Sequence, residues 1–195
     1  MKNKIYKTIT IIVLFIFFLS IPFLQSFIFA SESEGKIDIN KKIEASYINS
    51  DKKYVMLFFG YVGCTDVCTP FLQELSTIYD SKEFKPLRKN VDVVFVNLTP
   101  EIDKEQPDMF AKFFNPGFKG VYLSRGDILR IDRAFGLFFS RSMSEKTEVD
   151  HTDFLYLIKN TSELQVLKNM YTIHPFNKEK IIEDIIQLDM KNELL

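Results

Sequence analysis

The chain is poor in the residues from which most functional sites are built. Its 195 residues include only two cysteines and two histidines. No glycine-rich run forms a phosphate-cradling loop, and there is no internal repeat and no low-complexity segment. Nor is positive charge concentrated: 25 Lys+Arg oppose 26 Asp+Glu, a formal net charge of −1. With Lys2, Lys4 and Lys7 set apart, residues 31–195 carry 22 basic against 26 acidic side chains, or −4. Nucleic-acid binding needs phosphate-neutralising cations gathered on one surface, so that class is set aside. The start of the chain also lacks an Arg-rich, Ser-rich amphipathic presequence, which points to a bacterial rather than an organellar source.

Apolar residues, in contrast, are plentiful at the N-terminus. Behind the three lysines, no charge appears from Thr8 to Ala30, and Ile9 to Ala30 is an apolar run of 22 residues. A helix of that length crosses a hydrocarbon core of about 30 Å. A cleaved signal peptide has a shorter apolar region, roughly 7–15 residues, and Ile28 fits poorly in the small-residue position before a cut at Ala30. Residues 1–30 are therefore read as a transmembrane anchor, with a signal peptide as the alternative. Lysines before the run place the N-terminus in the cytoplasm and export everything from about Ser31. Residues 31–53 read as a tether ending in a short strand or hairpin, and residues 54–195 as the folded domain.

Within that domain, Tyr54–Gly60 and Val91–Leu98 are continuous apolar runs typical of strands buried on both faces. Helical spacing follows in Phe71, Leu72, Leu75, Ile78 and Tyr79, and again from Pro107 to Phe114. Val121–Leu123 reads as a short strand, and Asp127 as the cap of a helix running through Ile128, Ile131 and Phe135 to Gly136. Phe154–Ile158 and Gln165–Leu167 predict an antiparallel hairpin, and an amphipathic helix from Phe176 to about Lys191 closes the chain. Strands alternating with helices define an α/β fold with a central mixed sheet flanked by helices.

The chemistry concentrates in Gly60-Tyr-Val-Gly-Cys64-Thr-Asp-Val-Cys68-Thr-Pro70, at the carboxyl end of the first buried strand and the start of the first helix. Ligand-binding residues of open α/β sheets gather at such ends. A helix N-terminus favours thiolate over thiol, and an i,i+4 pair faces one way, ready to share a metal or close a disulfide. A purely structural disulfide is the plain alternative, but closing so short a loop stabilises little. Val149-Asp-His151-Thr152 lies just before the Phe154 strand, whereas His174 sits beside Pro175 before the last helix, where a surface role is the default. Spacing alone leaves open which histidine, if either, joins the thiols. Two soft thiolates with one imidazole suit Cu(I), and Cu(II), better than a hard cation.

The stretch Leu57-Phe-Phe-Gly-Tyr-Val-Gly-Cys64-Thr-Asp66-Val-Cys68, together with Asp150-His151-Thr152 placed 83 residues beyond Cys68, resembles the Sco/SenC family. These are extracytoplasmic copper chaperones that help assemble the copper centre of cytochrome c oxidase. The resemblance, over roughly residues 54–190, implies a thioredoxin-like fold. It also implies copper ligation by Cys64, Cys68 and His151, with Asp66 and Asp150 in supporting positions around the ligands. Thr69 stands where the family has a proline directly after the second cysteine. Thr99-Pro-Glu-Ile-Asp103 replaces its Asp-Pro-x-Arg-Asp-Thr-Pro element.

The expected function is thus a membrane-anchored periplasmic metallochaperone, not an enzyme, that passes copper to an accepting protein such as a cytochrome oxidase subunit. The alternative is an enzyme, a thiol–disulfide oxidoreductase that keeps a partner's cysteines reduced and has no need of His151. A third reading is an interaction module with a vestigial site.

Overall fold

A computed structural model of the chain describes residues 2–30, 35–131, 133–141, 149–161 and 164–193. Two units, residues 1–35 and 36–195, are described separately. The first contains one helix, α1, Lys2–Ala30. Its described apolar side chains from Ile9 to Leu19 are exposed, and those of residues 22–30 lie outside the described set. Among the described residues no helix is long and apolar enough to cross a membrane.

The second unit is built on a six-stranded sheet of order β1-β8-β7-β2-β3-β4. Its strands are β1 (Lys36–Ile43), β2 (Tyr54–Gly60), β3 (Val91–Asn97), β4 (Phe118–Tyr122), β7 (Leu155–Asn160) and β8 (Gln165–Tyr171). β2, β3 and β4 run parallel, while β7, β8 and β1 add an antiparallel half, so the sheet is mixed as expected. The helices are α2 (Cys68–Asp80), α3 (Gln106–Phe114), α4 (Arg125–Ile128) and α5 (Lys178–Glu193).

β2 is the hinge of the architecture because both of its faces are buried. Tyr54, Met56 and Phe58 point into a core shared with Phe71, Leu72 and Leu75 of α2 and Ile181 and Ile185 of α5. Val55, Leu57 and Phe59 point to the opposite core, with Phe135 and Tyr156. The two-residue period of a strand makes this division automatic. Each such aromatic or aliphatic side chain contributes about 1.5–3 kcal/mol by leaving water. The charge inside β3 is paired: Asp92 accepts from Ser50 Oγ at 2.6 Å and faces Lys119 Nζ at 2.5 Å.

Three segments differ from the sequence reading. Residues 36–43, within the stretch expected to be a tether ending in a short strand or hairpin, form a full edge strand against β8. The helix cap is Ser124 rather than Asp127: the two side chains form a reciprocal capping box, with Asp127 three residues inside. The helix it starts is one turn long, followed by a separate 3₁₀ turn at Arg133–Phe135. Finally, His151 is not on a loop. It ends β6 (Val149–His151), which pairs with β5 (Phe139–Arg141) in a two-stranded sheet that the sequence reading did not predict.

Candidate metal and redox centre

The site begins with glycines. Gly60 ends β2 where a side chain would force its neighbours to shift: a Cβ there would stand 2.6 Å from Cys68 Sγ and 3.0 Å from the Phe95 ring. Gly63 holds φ +91°, the left-handed region that lets the chain turn into Cys64. The turn is pinned from the neighbouring strand. Asn97, fully buried at the end of β3, accepts the Val62 N–H at 3.0 Å through Oδ1. The same oxygen accepts the Thr99 hydroxyl at 3.1 Å.

Val67 caps α2 without offering a side-chain acceptor. Cys64 supplies one instead: the Cys68 N–H donates to Cys64 Sγ at 3.3 Å, while Thr69 Oγ1 donates to the Cys64 carbonyl at 2.9 Å. The Cys64 sulfur therefore occupies an anion-favouring helix N-terminus. Its ionisation is pulled well below the usual thiol range. A hydrogen bond from the Cys68 thiol is the largest cause; burial opposes it, and the His151 ring and the Cys68 and Val67 N–H groups reinforce it. The Cys68 thiol is pushed up by that same bond, by burial and by the Cys64 charge. The pair is thus polarised, with the Cys64 sulfur favoured as the anion and the Cys68 sulfur as the proton holder. Cys64 and Cys68 are 3% and 0% exposed, and both thiols are free.

His151 completes the group. Its Nδ1 lies 3.0 Å from the Thr152 carbonyl, which can only accept, so Nδ1 carries the hydrogen and Nε2 is the nitrogen turned to the sulfurs. Nε2 stands 3.6 Å from Cys68 Sγ, and the three potential ligand atoms of Cys64, Cys68 and His151 all lie within 4.8 Å of one another. Burial works against the imidazolium. The Cys64 thiolate, the Thr152 carbonyl and the Asp153 charge outweigh it and raise the ring's proton affinity. Phe58 and Tyr61 meet the ring edge-on, with centroids 6.0 and 6.1 Å away.

The structure thus gathers Cys64, Cys68 and His151 into one cluster. Asp66 is exposed at the start of the helix and accepts from Thr65 Oγ1 at 2.9 Å. Asp150 is exposed on β6; as the neighbour of His151 in a strand it faces the other side. The carboxylate whose charge reaches the imidazole is that of Asp153. His174 is also more than a surface residue, since it bonds to the Asp153 backbone and faces Glu74. Gly60, Asn97 and Asp153 escape a reading by motif. The Gly-Tyr-x-Gly-Cys spacing was the one available sign that backbone must pass close to a sulfur.

Two thiols and an imidazole thus gather at the carboxyl end of the parallel strands, in a mixed α/β sheet flanked by helices. This chain belongs to the SCO1/SenC family, whose model matches residues 43–188. It is 26% identical over 122 residues to the human mitochondrial protein SCO1 homolog, a match covering 60% of this chain and 40% of the relative. The mitochondrial SCO1 homolog 1 of Arabidopsis thaliana is 30% identical over 112 residues, 54% of this chain and 32% of that protein. The chain thus spans less than half the length of these curated relatives. Among solved structures it is similar to apo Sco1 of Thermus thermophilus, with TM-score 0.58, 27% identity, and coverage of 78% of this chain and 92% of that one. Copper-bound ScoI of A. thaliana shares the fold with TM-score 0.62 at 23% identity, covering 76% and 99% respectively.

Proposed function

We propose that this protein is a copper metallochaperone in which Cys64, Cys68 and His151 are the ligands and copper is the cargo. The observation that carries the reading is the cluster itself: two sulfurs and an imidazole nitrogen within 4.8 Å, with the other ring nitrogen already committed to a carbonyl. Copper is the metal bound in solved ScoI structures of the family, and two thiolates with one imidazole suit it. Copper binding takes up the Cys64 thiolate, and protons leave Cys68 and, where it is charged, His151. The recipient is a copper-accepting protein, and family membership directs the proposal to a cytochrome c oxidase subunit.

The uncharged run from Ile9 to Ala30 supports a membrane anchor, because 22 helical residues extend about 33 Å at 1.5 Å each. Lysines 2, 4 and 7 then keep the N-terminus cytoplasmic and place the folded unit on the periplasmic side. A reporter fused after Leu195 that is active only in the cytoplasm overturns this topology. Recovery of a mature form starting at Ser31 turns the anchor into a signal peptide.

The test of the copper reading is anaerobic titration of the reduced chain with Cu(I) and Cu(II), followed by absorption spectra. His151→Ala weakens copper binding, most of all for Cu(II), and leaves disulfide formation nearly untouched. Parent-like binding and spectrum in that variant remove the chaperone assignment. A second reading, thiol–disulfide oxidoreductase, is favoured by the free, anion-stabilised Cys64. In it, the Cys64 thiolate attacks a partner disulfide and expels one partner thiolate. Cys68, giving up its proton, then releases the second and closes the Cys64–Cys68 bond. Two thiols persisting in the folded, mildly oxidised protein exclude it.

A further inference from the structure

The second histidine, His174, lies outside the ligand cluster but is tied to both of its halves. It lies at the surface with its side chain 29% exposed, beside a Glu74 side chain that is 24% exposed. His174 Nε2 lies 2.8 Å from the Asp153 carbonyl, which only accepts, so Nε2–H is the donor. Its Nδ1 faces Glu74 Oε2 at 3.4 Å, an ion pair when the ring carries both protons. The other Glu74 oxygen accepts the Phe176 N–H, which fixes the carboxylate in turn.

Each end of this bridge leads to a proposed ligand. Glu74 is on α2, the helix that opens at Cys68. Asp153 is two residues beyond His151, and the residue between them supplies the carbonyl that holds His151 Nδ1. The Thr152 N–H is itself bonded to the Phe138 carbonyl at 3.0 Å, so with Asp153 held by His174 the peptides on both sides of that carbonyl are tied down. A stack of rings runs parallel to the bridge. His174 lies 5.2 Å from the Phe71 ring, Phe71 stacks on Phe58 at 3.6 Å, and Phe58 meets His151 at 6.0 Å.

The geometry points to His174 as a positioning residue that, through Glu74 and the Asp153 carbonyl, sets the His151 imidazole against the Cys64 turn and the start of α2. The inference rests on the copper reading for its consequence, though not for its geometry. The two sulfurs, one in the turn before α2 and one on its first residue, hold Cu(I) without help from the imidazole. Cu(II) depends on the third donor, so a loosened imidazole is felt there first. The residues that orient a ligating histidine typically carry 10- to 100-fold in metal affinity.

The test compares the full chain with His174→Ala, His174→Gln, His151→Ala and the His151→Ala/His174→Ala double variant. Glutamine retains an amide N–H for the Asp153 carbonyl. His174→Ala lowers Cu(II) affinity by roughly 10-fold and changes its absorption spectrum, with Cu(I) affinity nearly constant. His174→Gln recovers part of the loss, and His174→Ala has no further effect on Cu(II) once His151 is alanine. Nitrogen NMR of the metal-free protein gives a copper-independent readout: the His151 ring leaves its single Nδ1–H form in His174→Ala. Unchanged ring signals in that variant overturn the inference, as does an equal loss of Cu(II) affinity in the His151→Ala background. If the parent binds no copper, the metallochaperone reading fails, and the ring signals alone decide the positioning role.

Discussion

The two halves of the pocket are held in opposite ways. The Cys64–Cys68 corner is assembled within one short stretch: Tyr61 O accepts the Cys64 N–H, Cys64 Sγ accepts the Cys68 N–H, and Thr69 returns to the Cys64 carbonyl. One long-range partner, Asn97, secures the turn. Among the described residues, the His151 arm is a three-residue strand paired with another three-residue strand and extended by the Thr152 N–H bond to the Phe138 carbonyl. Its remaining restraints come from across the chain, since the Glu74–His174 contact joins residues 100 apart and the His174–Asp153 bond residues 21 apart. A corner closed by local bonds keeps its sulfurs in place whenever β2 and α2 are folded. An arm held by distant contacts can move without unfolding the sheet. In the proposed metallochaperone, that difference pairs fixed sulfurs with an adjustable nitrogen.

The largest effect expected breaks the corner. Gly60→Ala puts a methyl against Cys68 Sγ at 2.6 Å and against the Phe95 and Phe58 rings at 3.0 and 3.1 Å. It destabilises the protein by about 1–3 kcal/mol, read from urea unfolding, and displaces the sulfur from the cluster. A parent-like unfolding midpoint shows instead that the corner has slack.

Asn97→Ala comes next. It removes the acceptor of the Val62 N–H and the Thr99 hydroxyl and costs about 1–2 kcal/mol by the same measurement. It frees the turn bearing Cys64 and leaves the His151 arm as it was. Equal disturbance of the His151 ring signals denies the separation of the two halves.

The smallest effect is a pH dependence in the reduced, metal-free protein. Cys64 ionises more readily when folded than at its ordinary value of 9.0, so over the acidic and neutral range the unfolded chain binds more protons. That contribution therefore grows as pH rises and is lost as pH falls towards the folded value. His151 has the opposite sign: its stabilisation is complete below the ordinary value of 6.5 and is lost as pH rises through its higher folded value. Stability relative to Cys64→Ser thus climbs with pH below about 6.5, flattens between that point and the higher folded value of His151, and climbs again beyond it. In a His151→Ala background the climb continues without the flattening. The same slope above and below that point, with His151 intact, shows that the ring and the thiolate do not interact.

The corner was legible because everything it needs is consecutive. A strand buried on both faces, a glycine-bearing turn and an i,i+4 cysteine pair opening a helix each carry their own periodic signal. β5 and β6 were not legible. Three residues are too few to show alternation, and each strand has meaning only beside the other. The edge strand β1 was read as tether because Lys36, Asp38, Asn40, Lys41 and Lys42 give it the polarity of a linker. Its partner β8 supplies the hydrogen bonds that polarity conceals. The Ser124 cap was in principle readable, since Ser-x-x-Asp is a capping-box pattern, and the helix was shortened by its weak continuation to Gly136.

By itself the sequence determined the mixed α/β class, the two sulfurs and their place at the strand end, because these follow from residue periodicity and neighbouring positions. Tertiary structure alone decided which nitrogen of His151 faces the sulfurs, that Asp153 rather than Asp150 bears on that ring, and that His174 is bound to both sides of the pocket. The reason is that a side chain's partner across 20 to 100 residues is chosen by how the sheet folds back, and chain order carries no record of that choice.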